Sequence, residues 1–472
     1  MAIFAPAASG MRAWSRTEYG RPRVVVSRVI EQLTGLGAWL TVALLFSLVA
    51  FPSYAEIKPG GLPNVSPARW SRLFLIGLTL LLVFIKPFGA PLTVLSGREA
   101  RRLWRSVAFF FAWYFCLNIY LNFSSGYFIN EIKNNILPSW LAFVFAAIYI
   151  RREQDYLLLL RALVVAMLVV VCVAPIEFVL KRNVFEGFIS SEGWNQVGLV
   201  DQTRDGVYRV KVTFEHPLTC AQFLITVGAA FVAKGMFSPA RLQWRWVLLG
   251  LLSFSGVVLT YTRSGMLMAS VVLGAILVLK FLTWTSTFRN RLTAAVLRVQ
   301  LLWLMFVLIG LGLWVYELVN GRTAEESMSS QARISMLTRG IPAILDGLIV
   351  GRGTGEGAKI AGFKGYFGVY FIDNIYLAYA LDYGLLYCLV FMFILGFAIW
   401  RLCPTYEELR KPQANTGIRI GAALALAASA CMLTMHATSA LNEFIFGLIG
   451  ATLCLPGRQF AKPRRWGAAV MC

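Results

Sequence analysis

The chain has 472 residues, of which 58% are hydrophobic and only 14% charged, and its mean hydropathy is +0.67. A soluble domain carries roughly a quarter charged residues, so the composition excludes an ordinary soluble globular protein. The net charge of +21 would indicate a nucleic-acid-binding protein only if the basic residues formed one patch interleaved with aromatics. They instead form short clusters between apolar runs, which is typical of membrane-protein loops. We expect a lipid bilayer as the partner, and no nucleic acid.

The N-terminal segment, residues 1–34, carries several arginines but no compact apolar stretch with a small-residue cleavage site. It therefore predicts a cytoplasmic tail and not a cleaved signal. The eight cysteines fall within apolar runs or predicted cytoplasmic segments, and no CxxC pair occurs. The sequence accordingly predicts neither a disulfide framework nor a metal site.

Apolar runs long enough to cross a bilayer follow the tail in chain order. They lie near residues 35–52, 70–86, 105–122, 136–150, 157–180, 217–234, 246–261, 264–284, 299–319, 373–400, 418–436 and 440–456. The fourth run is short and the tenth is long. These runs predict an all-α, polytopic integral membrane protein with about twelve transmembrane helices, a transmembrane domain over 35–456 and a cytoplasmic C-terminal tail over 457–472.

Arginine and lysine recur on every second connection between the runs, while the short connections on the other side carry few. This bias predicts that both termini of the multi-pass protein are cytoplasmic. We expect the membrane to be the bacterial inner membrane. Two long connections, 181–216 and 320–372, are then periplasmic, the second between helices 9 and 10. Long loops largely escape the charge rule and are often functional, so we expect the chemistry there.

This topology brings several polar residues to the periplasmic face, although they are far apart in the sequence. They are Glu177, His216, Arg263, Asp373, Asn374, His436 and Glu443. More than one interpretation stays open for some of them. The Arg263 guanidinium either binds an anion or reaches lipid headgroups from a tight turn. His216, beside Pro217, either acts chemically or starts a helix. His436 is also compatible with a headgroup contact. Glu177 is costly to expose to lipid, so we expect it to face a cavity or a cationic group.

The large loop contains the sequence QARISMLTRGIPAILDGLIVGRGTGEG, which predicts a short amphipathic helix capped by Ser329 or Ser330 and ended by a glycine-rich turn. Arg333 and Arg339 on this helix, with Arg352 after it, supply fixed positive charge. The glycines favour either a phosphate cradle or a flexible hinge. A nucleotide site is poorly supported because no strand precedes the glycines and the P-loop lysine is missing.

Arginines on this face are suited to one kind of ligand. Guanidinium groups match phosphate oxygens bidentately and stay charged, and converging arginines would stabilise pyrophosphate as it leaves in a transfer reaction. Polyprenyl-pyrophosphate sugars present that group at this face.

Several segments together resemble the O-antigen ligase and polymerase superfamily, which includes exopolysaccharide polymerases. The TRSG turn (Thr262 to Gly265) is similar to that family's turn between two core helices. Arg333, followed by Gly351 and Gly353, is similar to its large periplasmic loop, and DNIYLAYALDYGLL to the segment that closes the loop. Ligases typically carry histidine where this chain has Asp373. That difference, with the EHP and APIEF segments, favours the polymerases.

The resemblance implies a GT-C-like fold and an inverting, metal-independent glycosyl transfer without a cofactor. Its substrate would be a polyprenyl-pyrophosphate-linked oligosaccharide repeat unit, polymerised into exopolysaccharide or O-antigen, with a flippase and a chain-length regulator as pathway partners. Arg263 and Arg333 would bind the donor pyrophosphate, with Arg339 a weaker candidate. Asp373 would be the base and His216 a second base. The remaining supporting residues would be Glu177, Asn374, His436 and Glu443.

Two other functions stay open. One is an O-antigen ligase that transfers finished glycan to lipid A core or protein. The other is a glycolipid transporter or flippase, which would place charges near the middle of the bilayer on discontinuous helices.

Overall fold

The computed structural model describes most of the chain. The described residues are 22–52, 66–85, 97–123, 126–185, 203, 206–238, 243–285, 295, 299, 324–347, 349–364, 370–372, 374–410, 413, 415–433 and 439–457. The structure is a bundle of helices, which confirms the predicted helical class. The described helices are α1 (Pro22–Ala50), α2 (Pro67–Ile85), α3 (Gly97–Asn122), α4 (Tyr127–Glu131), a π-helical turn (Ile132–Ile136), α5 (Leu137–Tyr149), α6 (Glu153–Leu180), α7 (Pro217–Met236), α8 (Trp244–Leu259), α9 (Arg263–Thr285), α10 (Ala324–Asp346), α11 (Glu356–Ala361), α12 (Ile375–Asp382), α13 (Leu385–Leu402), α14 (Tyr406–Arg410), α15 (Thr416–Met432) and α16 (Ser439–Thr452).

Six of the described helices are long and apolar enough to cross a membrane. They are Ile30–Ala50 within α1, and α2, α6, α7, α9 and α13. Three shorter apolar helices, α8, α15 and Ala440–Thr452 of α16, pack with them. The protein is therefore a membrane-spanning helical protein. The number of about twelve spans stays a prediction, since the ninth run, 299–319, lies outside the described residues except for Val299.

Some boundaries differ from the sequence prediction. Helix α1 begins at Pro22, well before residue 35, and α10 begins at Ala324. Ser329 and Ser330 therefore lie inside α10, so the prediction that one of them caps it is wrong. The loop also contains a two-residue antiparallel ladder, β1 (Phe363–Lys364) with β2 (Tyr370–Phe371).

The tenth apolar run is two helices and not one. Helices α12 and α13 are separated by Tyr383 and Gly384, and Gly384 has φ 91°. A β-carbon at Gly384 would lie 2.4 Å from the Ile349 carbonyl oxygen. The break arises because the returning loop backbone occupies the space that a continuous helix would need.

Helix α7 is the centre of the bundle. In the apolar segment of α7 that is long enough to cross a membrane, 94% of the residues are buried, compared with 22% in α2 and in α9. Helix α7 packs mainly on α8 and α15. Small residues allow this close approach: a β-carbon at Gly250 would lie 2.9 Å from the Gly228 carbonyl oxygen, and one at Gly421 would lie 2.6 Å from that of Ala230. Small residues at helix contacts are the usual means of packing helices within a membrane.

Cross-helix contacts define one end of the bundle, which we call the His216 end. Gln222, near the start of α7, donates from Nε2 to the Ser429 carbonyl oxygen near the end of α15, at 3.1 Å. The Ile375 amide at the start of α12 donates to the Leu433 carbonyl oxygen just after α15, at 3.1 Å. The ends of α1, α6 and α8 and the starts of α9 and α16 lie at the same end, through the contacts described below.

Candidate functional site

The segment before α7 is organised by a buried carboxylate at the end of α6. Glu177 is fully buried. It accepts the Lys211 amide at 3.0 Å, the Val212 amide at 2.9 Å and the Tyr208 hydroxyl at 3.1 Å. Val212 has φ 51°, a left-handed conformation that is unusual for a β-branched residue. Such strain costs roughly 1–3 kcal/mol and occurs often at functional sites. Glu177 thus holds a strained turn just before His216.

His216 is the N-cap of α7. Its Nδ1 accepts the Leu218 amide at 3.1 Å, and Pro217 takes the first helical position. The interpretation of His216 as a helix start is therefore confirmed. Because Nδ1 acts as an acceptor, the neutral ring carries its proton on Nε2. In this tautomer Nε2 is a hydrogen-bond donor and Nδ1 is already used as an acceptor, so His216 is poorly suited to the role of second base.

The TRSG turn is a tight connection between α8 and α9, as its sequence predicts. Tyr261 has φ 48°, and the hydroxyls of Thr260 and Thr262 lie 2.8 Å apart. Arg263 begins α9 and is half-buried. The turn thus contains a second strained residue, Tyr261, at the His216 end, two positions before Arg263.

Two further contacts place this turn beside the start of α7. A β-carbon at Gly265 would lie 2.9 Å from the Ala221 β-carbon, so the glycine allows α9 to approach α7 closely. The Val210 amide donates to the Leu259 carbonyl oxygen at 3.3 Å. His216 and Arg263 therefore begin two adjacent helices at the same end. Helix N-termini carry partial positive charge, so this end attracts anions.

Asn374 serves as the N-cap of α12. Its Oδ1 accepts the amides of Tyr376 and Leu377 at 2.9 and 3.1 Å. Its observed contacts therefore start a helix next to the His216 end. The predicted base Asp373 and the supporting residue His436 lie outside the described residues.

Glu443 is one half of a buried ion pair that the sequence prediction missed. Arg72 Nε lies 2.9 Å from Glu443 Oε1, and Arg72 Nη2 donates to Oε2 at 3.0 Å. The exposed fractions of the two side chains are 19% and 4%. Arg72 lies inside α2, within the second predicted apolar run. A charged residue within an apolar helix was the signal available in the sequence.

A narrow cleft lies beside the His216 segment. It is lined by Val49 at the end of α1, Thr213, Glu215 and Thr219 around the start of α7, and Leu441 in α16. The Thr213 hydroxyl donates to the Val49 carbonyl oxygen at 2.7 Å. Glu215, next to His216, therefore reaches a cleft at the same end as the Arg72–Glu443 pair.

The glycine-rich segment is neither a phosphate cradle nor a free hinge. The amides of Gly355 and Gly357 donate to the Asp382 carboxylate at 3.0 and 2.8 Å, and the Gly353 amide donates to the Asp382 carbonyl oxygen at 2.9 Å. The amides of Gly355 and Gly357, which the sequence suggested as phosphate ligands, thus bind the Asp382 carboxylate of the chain itself. Burial raises the pKa of Asp382, which ends α12 before the α13 span, to about 7.

A polar network fastens the same segment to the bundle. Asn122 at the end of α3 donates to the Thr354 hydroxyl at 2.9 Å and accepts the Thr354 amide at 3.0 Å. The Thr354 and Tyr383 hydroxyls lie 2.6 Å apart. Nearby, the buried Glu131 accepts the Tyr114 hydroxyl. The loop therefore returns to the bundle through specific polar contacts that no local sequence motif predicted.

Arg333 and Arg339 lie on α10, and both are exposed. Helix α10 packs on α11 and α12, where a β-carbon at Gly340 would lie 2.9 Å from Leu377 Cδ1. The two arginines therefore belong to a surface element near the His216 end, while Arg263 is half-buried in the bundle itself.

Comparison with known proteins adds no assignment, since neither the family models nor the curated proteins contain a match to this chain. The resemblance to the O-antigen ligase and polymerase superfamily therefore stays a prediction.

Proposed function

We propose that the protein is a glycosyltransferase that polymerises polyprenyl-pyrophosphate-linked oligosaccharide repeat units on the periplasmic face of the bacterial inner membrane. The observation that supports this most is the position of His216 and Arg263 at the starts of two adjacent helices. Each follows a residue in a strained left-handed conformation, Val212 and Tyr261 respectively. A half-buried guanidinium, an imidazole N–H donor and two helix N-termini form a fixed environment for a pyrophosphate group.

Such an environment acts on the leaving group. In the proposed reaction, a sugar hydroxyl of one repeat unit attacks the anomeric carbon of another, and the bond from that carbon to the pyrophosphate oxygen breaks with inversion. Negative charge grows on the pyrophosphate, where Arg263 and the His216 Nε2–H stabilise it. Arg333 and Arg339 approach the same phosphates from α10. Asp373 accepts the hydroxyl proton.

The wider architecture belongs to the same proposal. It consists of about twelve spans in a GT-C-like arrangement, with both termini in the cytoplasm and the His216 end in the periplasm. A chain-length regulator and a flippase of the same pathway are the proposed partners.

The first test is Arg263→Ala in purified protein reconstituted in nanodiscs and supplied with lipid-linked repeat units. Polymer length and released polyprenyl pyrophosphate are the measurements. We expect Arg263→Ala to abolish both products, and Arg263→Lys to restore little, because an ammonium group cannot bind phosphate bidentately.

The matched control is Arg182→Ala, which removes an exposed arginine just beyond α6 at the same end. We expect it to polymerise like the wild type. Normal polymer from Arg263→Ala, at equal amounts of protein and lipid, would indicate that Arg263 contacts lipid headgroups and not the substrate. It would remove the main support for the proposal.

A ligase would use the same donor chemistry with another acceptor. The same assay separates the two, because a polymerase extends repeat units without an added acceptor, whereas a ligase releases polyprenyl pyrophosphate only when lipid A core or acceptor protein is present.

A transporter is the second candidate from another class, and one observation favours it, since α12 and α13 form an interrupted helix of the kind that transporters use. The interruption is filled by the chain itself, however, because the carbonyl of Ile349 and the amide of Gly351 lie against Gly384. Movement of lipid-linked substrate across liposomes without glycosidic bond formation would favour the transporter.

A further inference from the structure

Helix α10 buries one face against the rest of the protein. Met336 is 3% exposed and belongs to a small apolar cluster with Ala361, Leu377 and Leu381, against which Ala343 packs. These contacts set the rotation of α10 about its axis.

The opposite face of α10 is apolar and exposed. Ile334, Leu337, Ile341 and Leu345 are 61%, 46%, 53% and 62% exposed. Their spacing of three and four residues places them in one stripe along the helix. At 1.5 Å per residue the stripe is about 17 Å long. Such an unbroken exposed stripe, outside the membrane-spanning helices, is typical of an interaction surface.

An arginine borders this stripe. At roughly 100° per residue, a consequence of 3.6 residues per turn, Arg333 lies about 85° from the middle of the stripe, between the stripe and the buried face. Arg333 is exposed. Arg339 is exposed too, but it lies on nearly the opposite side of the helix, beside Asp346. An apolar face bordered by a cationic side chain is complementary to the boundary between acyl chains and anionic headgroups.

The position of α10 in the fold matches that boundary. It packs on α12, which starts beside the end of α15 and leads through Tyr383 and Gly384 into the α13 span. The first turns of α13 expose Leu386 and Leu389, at 44% and 51%, as expected of a lipid-facing surface. The α10 stripe therefore lies at the level where the lipid-facing surface of the bundle ends.

We propose that α10 is an interfacial helix that lies in the membrane plane at the His216 end. Its apolar stripe enters the leaflet, and Arg333 contacts the phosphates of anionic phospholipids. This placement does not depend on the proposed function. If that function is also correct, the helix holds Arg333 at the height of a lipid-linked pyrophosphate.

The test uses the full-length chain in nanodiscs of phosphatidylethanolamine and phosphatidylglycerol. The photoreactive residue p-benzoylphenylalanine replaces Ile341 or, independently, Leu345, both exposed, so that one misfolded variant does not decide the result. Asp346, whose side chain is 75% exposed away from the stripe, is the water-facing control. Leu267, 47% exposed on the α9 span, is the lipid-facing control. Mass spectrometry after irradiation identifies the adducts.

We expect phospholipid adducts at Ile341 and Leu345 in yields close to that at Leu267, enriched in phosphatidylglycerol over its share of the bilayer, and at least tenfold fewer at Asp346. Adducts to a second copy of the chain at Ile341 and Leu345 would overturn the proposal in favour of a protein interface. No adducts at either stripe position, with normal yield at Leu267, would show that the stripe faces water and would also overturn it.

Discussion

The Arg72–Glu443 pair shows how much depends on single residues at the His216 end. Both charges lie largely outside water, and they are joined by one hydrogen bond, from Arg72 Nη2 to Glu443 Oε2, with Arg72 Nε 2.9 Å from Oε1. Arg72→Met leaves the buried Glu443 carboxylate without its partner, so we expect a loss of roughly 3–5 kcal/mol of unfolding free energy. Thermal unfolding in nanodiscs measures the effect.

The double variant Arg72→Met, Glu443→Met separates structure from chemistry. Replacement of a whole buried pair by apolar residues is often neutral, so we expect the stability to return. If polymer synthesis returns with it, the pair is structural. If stability returns and synthesis does not, the pair acts on substrate. A double variant as unstable as Arg72→Met would contradict the account of the pair.

The predicted base can be tested now that a neighbouring residue has a defined role. Asn374 already caps α12, so that helix does not need a cap from Asp373. We expect Asp373→Asn to slow elongation by roughly a hundred- to ten-thousandfold, the usual contribution of a general base, with unchanged thermal stability. Elongation rate and donor binding are measured together.

Asn374→Ala is the contrasting variant, because loss of a cap costs about 1 kcal/mol of stability without removing a base. Normal elongation by Asp373→Asn would exclude a catalytic role for Asp373. The Nδ1 cap of His216 makes that residue a poor substitute, so the base would have to be sought elsewhere.

At the scale of elements, the break between α12 and α13 sets the position of the loop. Gly384 has a positive φ, and a β-carbon there would lie 2.4 Å from the Ile349 carbonyl oxygen. Gly384→Ala therefore forces either the Ile349 segment or the start of α13 to move. We expect a lower unfolding temperature and a loss of roughly 1–3 kcal/mol, the usual cost of a strained backbone position.

The control lies in the same helix. Gly396 in α13 has nothing within 4 Å of its β-carbon position, so Gly396→Ala should be neutral or more stable by up to about 1 kcal/mol from helix propensity. Equal effects of the two substitutions would mean that the break does not hold the loop.

At the scale of the whole molecule, the proposed reaction requires that the His216 end faces the periplasm. The alternation of basic clusters predicts that Ser330 in α10 is periplasmic and Gln413 cytoplasmic. Alkaline phosphatase fused near Ser330 should be active and near Gln413 inactive, with matched expression checked by immunoblot. The reverse pattern would reject both the orientation and the proposed reaction.

The sequence by itself determined the class of the protein and most of its helices. Apolar composition and run length are local properties, and a long apolar run leaves few alternatives to a membrane-spanning helix. The tight TRSG turn and the helix start at His216 were predictable for the same reason, because their residues act on their immediate neighbours.

The tertiary structure decided which partners the polar residues have. Glu177 binds amides 34 and 35 positions away, and Glu443 binds Arg72 across 371 positions, and no local pattern contains those pairings. The glycine-rich segment illustrates the limit best. Its amides suit any anion, and only the folded chain places Asp382, instead of a phosphate, within hydrogen-bonding distance. Local propensity follows from neighbours in the sequence, whereas a buried polar group takes the partner that packing brings to it.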